Sequence, residues 1–229
     1  MRIETTDLAV ITGDENVLVL VAAPGDESLA CGALIAGSCR RGRPPFVLVL
    51  TDGMEGGRRG EAPDRAAQRQ YDETRAAAAC LGLPHERLLM AGLQAGCVPH
   101  AGPAFDTVVR GVSLVMWARD CNVICAPWPG PDGAPDDHGA YGIATSVAEA
   151  TGVGLLACVS GRAGMAATRD ADADPAWRLD AAPMLEAKLR AIAAHRSMAA
   201  GPAGRGRGDE LFLRQAALNP RPRPATSPG

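Results

Sequence analysis

Aromatic side chains are scarce in this chain. Three Phe, three Trp and two Tyr amount to 3% of 229 residues, too few for the stacking platforms that hold single-stranded nucleic acid. An excess of one charge is missing as well. With 23 basic against 26 acidic side chains the formal net charge is −3, which leaves no electrostatic footprint for a nucleic-acid partner. No apolar run approaches the ~20 residues that a membrane-spanning helix requires. The first residues, MRIETTDLAVITGDE, carry acids where a secretory leader has a basic segment and an apolar core, so the expected location is the cytoplasm. In that compartment the seven cysteines (31, 39, 80, 97, 121, 125 and 158) read as reduced, mostly buried thiols. Cys121 and Cys125 lie closest together, but no second Cys/His pair is present to complete a structural zinc site.

What is present is ordinary globular material, 47% hydrophobic and 21% charged, enough for one substantial core. Residues 16–23, NVLVLVAA, form a continuous β-branched apolar run, the pattern of a strand buried on both faces. An apolar helix follows PGDES and ends at Gly42. Strands are predicted at 46–50, 87–90, 122–126 and 154–159, and helices at 65–81, 105–119, 138–151 and 184–196. This alternation predicts an α/β fold, a three-layer sandwich around a mostly parallel, Rossmann-like sheet. The expected domain covers residues 1–200. Residues 201–229, rich in Gly, Arg and Pro apart from 210–218, are expected to be a partly disordered tail.

Ligands of such folds sit beyond the carboxyl ends of the strands. Three loops qualify: PGDES after the first strand, TDGMEGG after the second, and PWPGPDGAPDDH after the fourth. They bring Asp26, Glu27, Asp52, Asp132, Asp136, Asp137 and His138 to one rim, a set suited to a hard or borderline cation. Bland readings stand beside this one. Asp26 also suits a helix N-cap, Glu27 a first-turn partner of the helix dipole, and His138 a surface position. His85 and His100 read as exposed loop residues, and His195 as structural. Arg58 and Arg59 read as a solvated loop that offers a second, anion-binding role. Trp128 suits either a sugar-stacking or a packing position. Gly56, Gly57 and Gly60 make no phosphate loop, because no Gly-Lys-Ser/Thr follows.

The loops resemble those of the PIG-L/LmbE family of zinc-dependent N-deacetylases. That family opens with His-Pro-Asp-Asp-Glu and a small-residue helix, where this chain has Ala23-Pro24-Gly25-Asp26-Glu27 and then Ala30-Cys31-Gly32. Its Leu-Thr-Asp-Gly stands here as Leu50-Thr51-Asp52-Gly53. A helix with Glu73, Ala77 and Leu81-Gly82 matches in order. So do Pro135-Asp136-Asp137-His138 and the stretch from Lys188 to Ser197. The resemblance implies zinc ligands at Asp26 and His138, with Asp137 retained beside them as a catalytic group. It also implies an N-acetylated amino sugar as substrate.

The departures fall on the chemistry. The family's first zinc-binding His falls on Ala23, its general-base Asp on Gly25, and its charge-stabilising His on Pro135 or Ala134. Two zinc ligands remain where a catalytic zinc normally has three and a water, and glycine cannot accept a proton from that water. Glu27, Asp52, Asp132 and Asp136 stay open as substitutes. The expected function is therefore N-deacetylation of an amino sugar with impaired or altered metal chemistry. The alternative is a catalytically inactive member that binds a sugar or regulates a partner. The alanine-rich helix faces are compatible with homo-oligomer packing.

Overall fold

The computed structural model describes residues 3–53, 62–130, 133–159, 176–197 and 210–215. Arg58, Arg59, the glycines at 56, 57 and 60, and Asp132 lie outside these residues, as do 201–209 and 216–229. Eight strands form one sheet: β1 (Ile3–Thr6), β2 (Val17–Val21), β3 (Phe46–Thr51), β4 (Leu88–Leu93), β5 (Val123–Pro127), β6 (Gly154–Val159), β7 (Ala176–Leu179) and β8 (Glu210–Gln215). Their order is β1-β7-β8-β6-β5-β2-β3-β4. The strand pairs are parallel except those made by β8 with β6 and β7.

The helices are α1 (Leu8–Thr12), α2 (Asp26–Arg40), α3 (Pro63–Cys80), α4 (Gly102–Ala118), α5 (Pro135–Thr151) and α6 (Leu185–Ala194). Every residue of β2 and β3 is buried, as continuous apolar runs with helices on both faces must be. Alternation along the strands divides the core. Val19, Val21, Val47, Val49 and Cys125 face the layer containing α1, α2, α3 and α6. Leu18, Leu20, Leu48, Leu50 and Ile124 face α4 and α5. This is the three-layer α/β sandwich that the sequence predicts.

The strand at 210–215 differs from the sequence expectation. The sequence sets these residues within the 201–229 tail, yet β8 lies inside the sheet, with Phe212 fully buried. Its predecessor in the sheet order, β7, and the N-terminal β1 carried no strong apolar run and were not predicted. Among the described residues no helix is long and apolar enough to cross a membrane.

Candidate active site

Chain order reverses at β2, which pairs with β3 on one side and with β5 on the other. Such a switch point opens a crevice at the carboxyl ends of the strands. The turn after β2 and the start of α5 both reach it.

The turn after β2 is built around a glycine. Gly25 has φ 100°, a backbone region that side chains with a Cβ adopt only at a cost. It sits just before α2, and Asp26 is the first helical residue. Asp26 is therefore not the N-cap. Its Oδ2 accepts the Ala23 N–H at 2.9 Å, folding the carboxylate back over the turn. Burial pushes this carboxyl up to about 8, and the nearby charges of Asp137, Glu27 and Cys31 push in the same direction against the Ala23 hydrogen bond. Asp137, in the first turn of α5, is also raised. Burial is the main cause; a backbone hydrogen bond to Ala134 opposes it, Asp136 adds to it, and His138 opposes it. The structure thus brings Asp26 and Asp137 within electrostatic reach of each other. His138 lies in the same helical turn and is exposed.

The neighbouring carboxylates are engaged elsewhere. Glu27 is fully buried and accepts three hydrogen bonds or contacts. Gly25 N–H reaches Oε2 at 2.7 Å, Ser28 Oγ reaches Oε1 at 2.7 Å, and His195 Nε2 lies 2.8 Å from Oε1. Burial alone would raise Glu27; the hydrogen bond and charge of His195, with Ser28 and Gly25, hold it below the usual glutamate value. Glu27 is therefore an anchor for the turn, beyond the simple dipole partner of the sequence reading. Asp136 accepts the Gly96 and Val98 N–H groups at 2.7 and 3.0 Å, one on each oxygen. Asp52 Oδ1 accepts the Ala95 N–H at 3.2 Å. These bonds bind the 95–98 segment to the rim.

A further set of polar groups closes the inner side. Gln70 Nε2 donates to the Gly53 carbonyl at 3.3 Å, and Ser197 Oγ donates to Gln70 Oε1 at 3.2 Å and to Glu73. His195 is buried, as a structural residue would be, whereas His85 and His100 are exposed. Trp128 is half-buried, and its backbone N–H donates to the Cys158 carbonyl at 2.7 Å. The Glu27–His195 pair was not legible beforehand, because 168 residues separate its members and no local spacing reports such a contact.

Ala23 has no lone pair on its side chain and Gly25 has no side chain. Glu27 and Asp136 spend their oxygens on His195, Ser28 and backbone N–H groups. Among the described residues no group of three or more His, Cys, Asp or Glu side chains converges as a metal site. Asp26 and His138 alone fall short of the three protein ligands of a catalytic zinc, so the described residues do not fit the metal in its usual form.

The chain belongs to the PIG-L family, described as GlcNAc-PI de-N-acetylase, whose model matches residues 18–149, more than half of its length. No curated protein matches it in sequence. Solved structures share its fold. One is N,N'-diacetylchitobiose deacetylase from Pyrococcus horikoshii, 16% identical, covering 93% of this chain and 88% of that one, with a TM-score of 0.69. A zinc-inhibited form of a teicoplanin deacetylase is 13% identical, with coverage of 87% and 97% and a TM-score of 0.67. The 4-carboxy-2-hydroxymuconate hydratase GalB from Pseudomonas putida KT2440 is 15% identical, with coverage of 93% and 100% and a TM-score of 0.64.

Proposed function

We propose that this protein is an N-deacetylase-type hydrolase that acts on the amide C–N bond of an N-acetylated amino sugar, with metal chemistry impaired relative to its family. Membership of the PIG-L family supports the reaction class. The observation that carries the reading is the approach of Asp26 and Asp137 at the switch point, where burial raises both carboxyls. A carboxyl raised above its ordinary value is a stronger proton acceptor when ionised than a free one. In this reading Asp137 accepts the proton of the water that attacks the acetyl carbonyl and returns it to the departing amine. Gly25 leaves the position of the family's base empty of any proton acceptor, so the rate falls well below that of a complete site.

A second reading has its own support. The carboxylates nearest the missing positions, Glu27 and Asp136, are held by other bonds. This favours a catalytically inactive member that retains a sugar-binding cleft or acts on a partner.

The test is amine release from N-acetylglucosamine derivatives, run beside equilibrium binding of the same compounds. The first reading expects slow release that Asp137→Asn abolishes while binding persists. Binding without release establishes the second reading. Neither binding nor release overturns both, and release that survives Asp137→Asn removes that residue from the reaction.

A further inference from the structure

One turn beyond Asp26 and Glu27, α2 carries a cluster that the cleft does not use. Cys31 of α2, Cys125 of β5 and Cys158 of β6 are all fully buried. The sulfurs of Cys31 and Cys125 lie 3.9 Å apart. Cys158 donates to the Ala30 carbonyl at 2.7 Å, beside Cys31.

The sequence explains the meeting. Ala30-Cys31-Gly32-Ala33 is a run of small residues, which lets the helix lie close to the strands beneath it. Cys125 pairs in register with Leu156, so Cys158 stands two residues further along on the same face. Lys188 reaches this layer as well. A Cβ on Gly32 would come within 2.9 Å of its Cγ, and its ammonium lies 2.7 Å from Glu210.

The three thiols are not equivalent. The neighbouring thiols of Cys125 and Cys158 lower Cys31 well below the usual range; burial opposes them and Lys188 assists. Cys125 and Cys158 are both held well above it. Two cysteine sulfurs 3.9 Å apart, one more acidic than the other, have the arrangement of a nucleophilic and a resolving cysteine.

We propose that Cys31 and Cys125 are a redox-active dithiol, which a small hydroperoxide converts into a disulfide joining α2 to β5. The Cys31 sulfur attacks the O–O bond and becomes a sulfenic acid, and the peroxide leaves as the alcohol, or as water from hydrogen peroxide. The Cys125 sulfur then displaces the sulfenic oxygen as a second water. Two thiols are oxidised by two electrons, the peroxide is reduced by two, and both thiol protons end in the released products. The sulfurs close from 3.9 Å to the ~2.05 Å of a disulfide. The cross-link spans a sequence separation of 94 residues, so it removes freedom from the unfolded chain. It also tethers the helix whose first turn carries Asp26 and Glu27.

The full-length reduced protein is treated with hydrogen peroxide under native conditions, alkylated, digested and mapped by mass spectrometry. The expected product is a peptide joining Cys31 to Cys125, two hydrogens lighter than the separate thiols, that reverts with dithiothreitol. The oxidised protein melts at a higher temperature. Exposed Cys97 reports independently that oxidant and alkylating reagent are active. In Cys125→Ser the expected product is a dimedone adduct at Cys31, and mapping of the unaltered protein decides the matter should that variant fail to fold. Recovery of both Cys31 and Cys125 as free thiols while Cys97 is oxidised overturns the proposal. So does a link from Cys31 to Cys158 in place of Cys125, or a Cys31–Cys125 link that forms only in denaturant.

Discussion

Gly25 and Glu27 set the character of the cleft at the scale of single residues. Glu27 is buried against His195, with side-chain exposures of 1% and 3%. Removing one partner of such a pair leaves an uncompensated charge inside, so His195→Ala is expected to cost roughly 3–5 kcal/mol in a urea melt. The pH dependence has a definite sign. The folded value of Glu27 lies below its ordinary 4.5. Its contribution to stability is therefore complete above 4.5 and is lost as pH falls through the folded value. The melting temperature of the unaltered protein is expected to fall as pH drops below 4.5, and Glu27→Gln is expected to lack that part of the slope. Gly25 makes a different point. Its φ of 100° means that restoring the family's Asp there strains the turn. Gly25→Asp is expected to lose about 1–3 kcal/mol of stability by denaturant titration. A variant as stable as the parent would show that the turn relaxes freely.

Individual elements explain how the rim is held. The first turn of α5 presents Asp136 to two donors of the 95–98 segment, the Gly96 and Val98 N–H groups. Asp136→Ala is expected to cost about 1–3 kcal/mol. It should also speed hydrogen exchange at the Gly96 and Val98 amides without affecting Val19 or Val49 in the central strands. Unchanged exchange at 96 and 98 would contradict the clamp. The same loop shows the reach and the limit of the sequence. Residues 16–23 and 46–50 are legible as strands because burial on both faces demands unbroken apolar runs. Pro135 to His138 are legible through their order and spacing. The clamp on Asp136, and the partner of Glu27, are not. Both join segments distant in the chain through hydrogen bonds, and hydrogen-bond partners leave no periodic trace. β8 escapes for a related reason: ELFLRQ is short and follows a Gly- and Arg-rich stretch, and only the sheet shows where it inserts.

The whole molecule depends on that late strand. β8 separates β6 from β7, and Glu210 accepts the Ala33 and Leu34 N–H groups at 2.6 and 2.9 Å while pairing with Lys188. A chain ending at residue 200 is expected to lose cooperative thermal unfolding followed by circular dichroism, since two strand interfaces and the buried Glu210 contacts go with it. Cooperative unfolding near the parent temperature would show that residues 1–200 form a complete unit.

The proposed reading leaves the crevice with Asp26 and His138 alone as candidate donors for a zinc that normally takes three protein ligands. Zinc content by elemental analysis, after brief zinc loading and desalting, tests that claim most directly. The account expects no stoichiometric zinc in the unaltered protein, and a gain toward one per chain in Ala23→His, which restores the third donor. About one zinc per chain in the unaltered protein, lost on Asp26→Ala or His138→Ala, would contradict it.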